Sequence, residues 1–169
     1  DPAKLKASIE RAKGMAKLCH DVGGSGIRVF PNDFQKNTPQ EITIEQIARS
    51  LNELGKYAAG LGQEVRLENH GSAGRLTTLR KILDQVRAKN VRVKLNSDAK
   101  DAVNKEFAAN FALVKNKLGH TLHMHDLRAA DFPYQLQTDL LIDMGWTGWC
   151  LPEMDAKPTD AMAGLREQR

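Results

Sequence analysis

Five short stretches of this chain alternate aliphatic with polar or ionisable side chains, and the two sets keep to opposite parities. Successive residues of a strand point to opposite faces, so parity decides what each side chain meets. Across 26–30, 64–70, 91–98, 120–126 and 145–153, one parity collects Ile27, Val29, Val65, Leu67, Val91, Val93, Leu95, Leu122, Met124 and Cys150. The other collects Arg28, Phe30, Arg66, Glu68, His70, Arg92, Lys94, Asn96, Asp98, His123, His125, Trp149, Leu151 and Glu153. An open sheet between two helix layers should be apolar on both faces. A (β/α) barrel is covered by helices only on the outside, and its interior can turn polar toward the mouth at the C-terminal strand ends. The ionisable residues concentrate at those ends, so the pattern selects a barrel.

Helical periodicity fills the gaps. Over 3–19 it runs through Leu5, Ile9, Met15, Ala16 and Cys19, and over 43–61 through Ile44, Ile47, Ala48, Leu51, Leu54, Ala58 and Leu61. Leu76 to Val86 predicts a third helix, Val103 to Leu118 a fourth, and Leu136 to Met144, with Pro133 in the first turn, a fifth. The tail from Asp155 reads as a short helix begun again after Pro158. Strand starts lie roughly 25 to 40 residues apart, the sequence form of repeated βαβ units. Five strands are visible, whereas a closed (β/α)8 TIM barrel needs eight in about 250 residues. The expected architecture is α/β: a single partial barrel domain over 1–169 holding the last five βα units, with the N-terminal strands missing.

Composition narrows the partners. Of 169 residues, 41% are hydrophobic and 27% charged, with a net charge of +4 and no block of basic residues. That argues against a nucleic-acid tail. No apolar run approaches the roughly 18 residues of a membrane span. Cys19 and Cys150 are far apart with no CxxC spacing, which suits neither a disulfide scaffold nor a thiolate metal site. A cytoplasmic location is expected, although a start at Asp1-Pro2 without methionine is compatible with a removed leader. Self-association into a homo-oligomer is compatible with everything above.

The chemistry lies at four strand ends: Glu68 in "LENHG", Asp98 in "LNSD", His123 in "LHMHD" and Glu153 in "LPEMD". Three carboxylates aimed at one axis would repel and raise each other's pKa unless a cation sat among them. An oxygen-rich set with one imidazole suits Mg²⁺, Mn²⁺ or Co²⁺, and Zn²⁺ also fits. Each residue has a blander reading. Asp98 stands where an aspartate could cap the helix starting near residue 100. Glu68 and Glu153 could be solvated strand-end carboxylates, and His123 a core histidine. His70 and His125 share the inward parity and are expected to contact metal ligands or substrate hydroxyls. Arg28 and Lys94 either bind a substrate phosphate or carboxylate or balance the buried carboxylates. Trp149 is either a sugar-stacking platform or core filling. The glycines of "GGSG" and "HGSAG" could cradle phosphate or serve only as tight turns.

With these residues in place, "LENHG", "LNSD", "HMHDL" and "GWTGWCLPE" resemble the sugar phosphate isomerases/epimerases of the xylose-isomerase-like barrels, relatives of the apurinic-site endonucleases, over roughly residues 20 to 155. The resemblance implies one metal ligand from each of the last four strands, namely Glu68, Asp98, His123 and Glu153, around one divalent ion. It also implies a small carbohydrate substrate whose proton is removed by one glutamate and returned by the other through an enediolate, Glu68 and Glu153 being the catalytic pair. One departure is Asp101, where many members carry histidine or asparagine. A metal phosphodiesterase of the apurinic-endonuclease type and a non-catalytic barrel remnant are the alternatives.

Overall fold

Helices and strands alternate along the computed structural model, which describes residues 1–153 and 160–168. The order is α1 (Pro2–Asp21), β1 (Gly26–Val29), α2 (Gln40–Ala59), β2 (Glu64–Glu68), α3 (Leu76–Leu83), β3 (Val91–Lys94), α4 (Phe107–Val114), β4 (Thr121–Met124), α5 (Tyr134–Asp143), β5 (Trp149–Pro152) and α6 (Ala161–Arg166). Asp1 starts α1 by accepting hydrogen bonds from the backbone N–H groups of Ala3 and Lys4, satisfying donors that a first helical turn leaves free.

Every strand pair is parallel, with β1–β2–β3 in one ladder and β4–β5 in another. Parallel bridges from Val93 to Leu118 and from Asn96 to His123 join the two, so strand order follows chain order throughout. Between those bridges the β4 side spans more residues than the β3 side, as at a bulge.

The aliphatic parity makes the core. Val65, Leu67, Val91, Val93, Leu95 and Leu122 are buried against Ile44, Ala48, Leu51 and Leu54 of α2, Leu76, Leu79 and Ile82 of α3, and Phe107, Phe111 and Val114 of α4. Burying such side chains is worth about 1.5–3 kcal/mol each, which fixes the strand faces. The opposite parity is therefore turned inward.

Several elements differ from the sequence expectation, each for a local reason. The fourth helix begins at Phe107 rather than Val103, because Asn104 and Lys105 adopt left-handed backbone (φ 57° and 62°) that breaks the preceding turns. β2 stops at Glu68, so the inward parity does not carry on to His70, which is exposed. Among the described residues β5 has one strand neighbour, and all its residues are exposed, including Cys150, which parity placed on the packed face. The stretch 154–159, with Asp155 and Pro158, lies outside the described residues. α6 is tied to the loop after β4, where the Leu127 N–H donates to Gln168 Oε1 (2.7 Å) and Arg128 pairs with Glu167 (3.2 Å). None of the described helices is long and apolar enough to cross a membrane.

An ionic layer centred on the buried Arg66 lies at the N-terminal strand ends. Arg66 Nε donates to Glu64 Oε2 (2.7 Å), Arg66 Nη2 donates to Ser25 Oγ (2.7 Å), and His120 Nδ1 lies 3.0 Å from Glu64 Oε1. Burial works against the charged form of Glu64, but the Arg66 hydrogen bond and charge, with contacts from His120, outweigh it and hold the carboxyl below its ordinary 4.5. Glu64 therefore contributes stability that is fully present above that value and is lost as pH falls through the lower, folded-state value. Glu64→Gln should lower stability near pH 7, and the gap to the native protein should narrow as pH falls below 4.5, as read from urea melts across that range.

Gln137 of α5 is wholly buried, and neither its amide nitrogen nor its oxygen has a hydrogen-bond partner among the described residues. An unsatisfied buried polar group costs about 1–3 kcal/mol. Gln137→Met keeps the shape and removes that cost, so thermal melts should show a stabilisation of about 1 kcal/mol or more.

Candidate active site

Glu68 closes β2 with its side chain turned inward and 1% exposed. Register brings Lys94 of β3 directly beside it, and Arg28 reaches it from β1. Arg28 Nη1 lies 3.3 Å and Lys94 Nζ 3.5 Å from Glu68 Oε2. The imidazole of His123, on β4, adds Nδ1 at 3.2 Å from the same oxygen. Glu153, just beyond β5, completes the group from the open side: its Oε2 is 2.8 Å from His123 Nδ1, and its side chain is 45% exposed.

Glu68, His123 and Glu153 each offer one donor atom, and these atoms lie within 4.8 Å of one another. Three strands thus deliver two carboxylates and one imidazole to a single hollow at the C-terminal strand ends. An O,O,N donor set matches a hard or borderline divalent ion. Burial first, then the Lys94 charge, hold His123 below its ordinary value, against the pull of Glu68 and Glu153. The neutral ring so favoured is the form that ligates metals. Burial also lowers Lys94, although Glu68 opposes it.

Asp98 is not in this group. Its Oδ1 accepts the backbone N–H of Lys100 (2.9 Å), capping the 3-10 turn Ala99–Asp101, and Lys100 Nζ stands 3.8 Å from its other oxygen. The inward positions of β3 and its extension are held instead by Lys94 and Asn96, both buried. His125 joins through Asn96, with Nε2 2.8 Å from Asn96 Oδ1, while its backbone N–H donates to Ser97 Oγ (3.0 Å). His70 packs at the mouth on Phe30, ring centroids 4.9 Å apart, away from the carboxylates. Trp149 starts β5, opposite Thr121 at the far end of the strand from Glu153, and is 72% exposed.

Sequence reasoning passed over a buried polar belt behind the site. Asn69 Nδ2 donates to the Asn96 carbonyl (2.9 Å) and to Asp101 Oδ2 (3.1 Å), and Asn69 Oδ1 accepts the Asn96 N–H. Asp101 Oδ1 accepts the N–H of Leu76 (2.9 Å) at the start of α3. Burial raises the Asp101 carboxyl, while those hydrogen bonds oppose the shift. Tyr134 OH donates to Ser97 Oγ (3.1 Å). The belt spans the loops after β2 and β3, reaches β4 through His125, and holds the ends of the strands in place. The available signal was the run of amides at consecutive strand ends, Asn69 and Asn96, which cannot stay buried without partners.

The loops above the site are also locked together. Ser72 N–H donates to Asp33 Oδ1 (2.7 Å) and Phe34 N–H donates to Ser72 Oγ (2.9 Å). Gly71 (φ +76°) lies so close to Asn32 O that an added Cβ would stand 2.3 Å from it. A tight turn accounts for this part of "HGSAG".

Comparison with known proteins places these features in a wider set. The chain matches the model of the xylose isomerase-like TIM barrel family over residues 1–169. No curated protein matches it in sequence. Among solved structures it is similar to the 3-keto-D-glucoside 4-epimerase of E. coli (18% identity, TM-score 0.73, covering 95% of this chain and 68% of that one). It is also similar to the D-psicose 3-epimerase of Clostridium cellulolyticum H10, solved with D-tagatose (17%, 0.74, covering 100% and 64%). A third is a xylose isomerase-like TIM barrel protein of Mycobacterium smegmatis in complex with magnesium (17%, 0.65, covering 99% and 66%). The chain thus spans about two thirds of the length of these structures.

Proposed function

The chain belongs to the xylose isomerase-like TIM barrel family, and on that footing we propose that it is part of a divalent-metal-dependent isomerase or epimerase acting on a sugar or sugar phosphate through an enediolate. The observation that carries this reading is the meeting of Glu68, His123 and Glu153 donor atoms within 4.8 Å at the strand ends. Two epimerases of keto sugars share the fold, and a further relative in that fold binds magnesium.

Glu68, His123 and Glu153 would hold the ion, whose identity among Mn²⁺, Mg²⁺, Co²⁺ and Zn²⁺ the donor set leaves open. Asp98 would join them only by giving up its turn cap. When bound, a divalent ion supplies Lewis-acid polarisation of a carbonyl and its neighbouring hydroxyl. The remaining work falls to the chain's own groups. Glu68 and Glu153 approach from β2 and from beyond β5, on either side of His123, so a carbon seated between them meets a carboxylate on each flank. One removes the proton and the other returns it. Return to the opposite face inverts the centre, and return to the adjacent carbon exchanges ketose and aldose. Asn96 and the Asn69 belt keep His125 oriented beside this site, within reach of a substrate hydroxyl.

The phosphodiesterase alternative needs more metal ligands than converge among the described residues. His70 is engaged with Phe30, and His120 with Glu64 at the other end of the interior.

The test is solvent exchange. Full-length protein incubated with Mn²⁺ and a panel of keto sugars and their phosphates in D₂O should incorporate deuterium next to the carbonyl, followed by NMR. Glu68→Gln and Glu153→Gln should each slow incorporation about 10²–10⁴-fold. Exchange that survives both substitutions, or no exchange with any member of the panel, would overturn the reading.

A further inference from the structure

The hollow bounded by Glu68, His123 and Glu153 already contains a cation belonging to the protein. Arg28 Nη1 stands 3.3 Å from Glu68 Oε2, 3.5 Å from His123 Nδ1 and 3.8 Å from Glu153 Oε1. A single guanidinium nitrogen thus stands within 3.8 Å of all three side chains. A divalent ion binds such donors at about 2.0–2.2 Å, which puts it in the space those contacts define. Two cations this close repel each other, most strongly beside the buried Glu68.

We infer that Arg28 is a resident counter-cation of the Glu68–His123–Glu153 hollow that a divalent metal must displace, so that this residue sets how tightly the site binds metal. The inference rests on the metal-site reading of the preceding subsection.

Three features single out Arg28 rather than Lys94. Lys94 is almost wholly buried and, among the described residues, pairs only with Glu68, so it serves as fixed charge balance for that carboxylate. Arg28 contacts every donor in the hollow and has a side chain 39% exposed, so it can leave without breaking the core. It also keeps a second partner. Its guanidinium carbon already lies 4.6 Å from the centroid of the Phe30 ring, two residues on at the mouth, an aromatic contact that remains available once the carboxylates are given up.

Charge gives the same account. The two glutamates face two basic side chains, Arg28 and Lys94, so the hollow holds its own counter-cations before any metal arrives. Removing Arg28 leaves a carboxylate excess that only another cation relieves. Metal entry and arginine departure are therefore coupled, and each opposes the other by the same factor.

The experiment titrates Mn²⁺ into the full-length native protein, Arg28→Met, Arg28→Gln, Glu153→Gln and Lys56→Met, reading bound metal by calorimetry and by the EPR signal of free Mn²⁺. Lys56 is an exposed cation on α2 and controls for net charge. Arg28→Met and Arg28→Gln should bind about ten-fold more tightly than the native protein, and Lys56→Met should match it. Equal or weaker binding by both Arg28 variants overturns the inference. If Glu153→Gln weakens binding while the Arg28 variants do not strengthen it, the metal site stands and only the role of Arg28 falls. If no protein binds Mn²⁺, the metal-site reading falls with it.

A second measurement needs no variant. Phenylglyoxal modification of Arg28 in the native protein, located by peptide mass mapping, should quicken when Mn²⁺ is added. An unchanged rate at saturating Mn²⁺ overturns the displacement.

Discussion

Everything at the C-terminal strand ends is arranged around the burial of one carboxylate. Glu68 is 1% exposed, and an ionised carboxylate removed from water is tolerable only when paired and hydrogen-bonded. Its partners come from three other strands: Arg28 from β1, Lys94 from β3 and His123 from β4. None is a neighbour of Glu68 in the chain, so the charge is satisfied only when the strands lie parallel, in order and in the observed register. The aliphatic faces drive the sheet against its helices, and Glu68 penalises any slip in how they do so. A shift of one residue would put Lys94 and His123 into the apolar layer and Leu67 into the polar one.

The interior is polar at both ends for different reasons. At the N-terminal ends, Arg66 donates to both Glu64 and Ser25 at 2.7 Å, and His120 closes the set. At the C-terminal ends the donors and acceptors are less evenly matched: Glu153 is half exposed, and the Arg28 contacts of 3.3 to 3.8 Å are longer than those of the lower layer. Long charge-paired contacts are weaker and more readily replaced than short ones.

Much of the fold was legible in the chain because alternation is a local property. The parity of Val65, Leu67, Val91, Val93, Leu95 and Leu122 names the packed face, and all of them are buried. The same parity turns Glu68 and His123 inward. The failures came where an element ended early or lost its cover. β2 ends at Glu68, so the next inward position, His70, is free to lie on Phe30. Cys150 has the packed parity but sits in an edge strand whose residues are all exposed. The fourth helix is cut short by the left-handed Asn104 and Lys105, a backbone choice that hydrophobic spacing does not report.

By itself, then, the sequence determined which side chains face inward and that acidic and imidazole groups gather at one end of the strands, since both follow from a period of two and the water-avoidance of aliphatic groups. Tertiary structure alone decided which of those groups meet. Asp98 satisfies the N–H of Lys100, two residues away, because that donor is nearby whatever the rest of the molecule does. Arg28, by contrast, lies against Glu68, His123 and Glu153, which are far from it along the chain. Contacts of that kind depend on strand order, register and relative depth, and no local pattern encodes a distance between residues that only folding brings together.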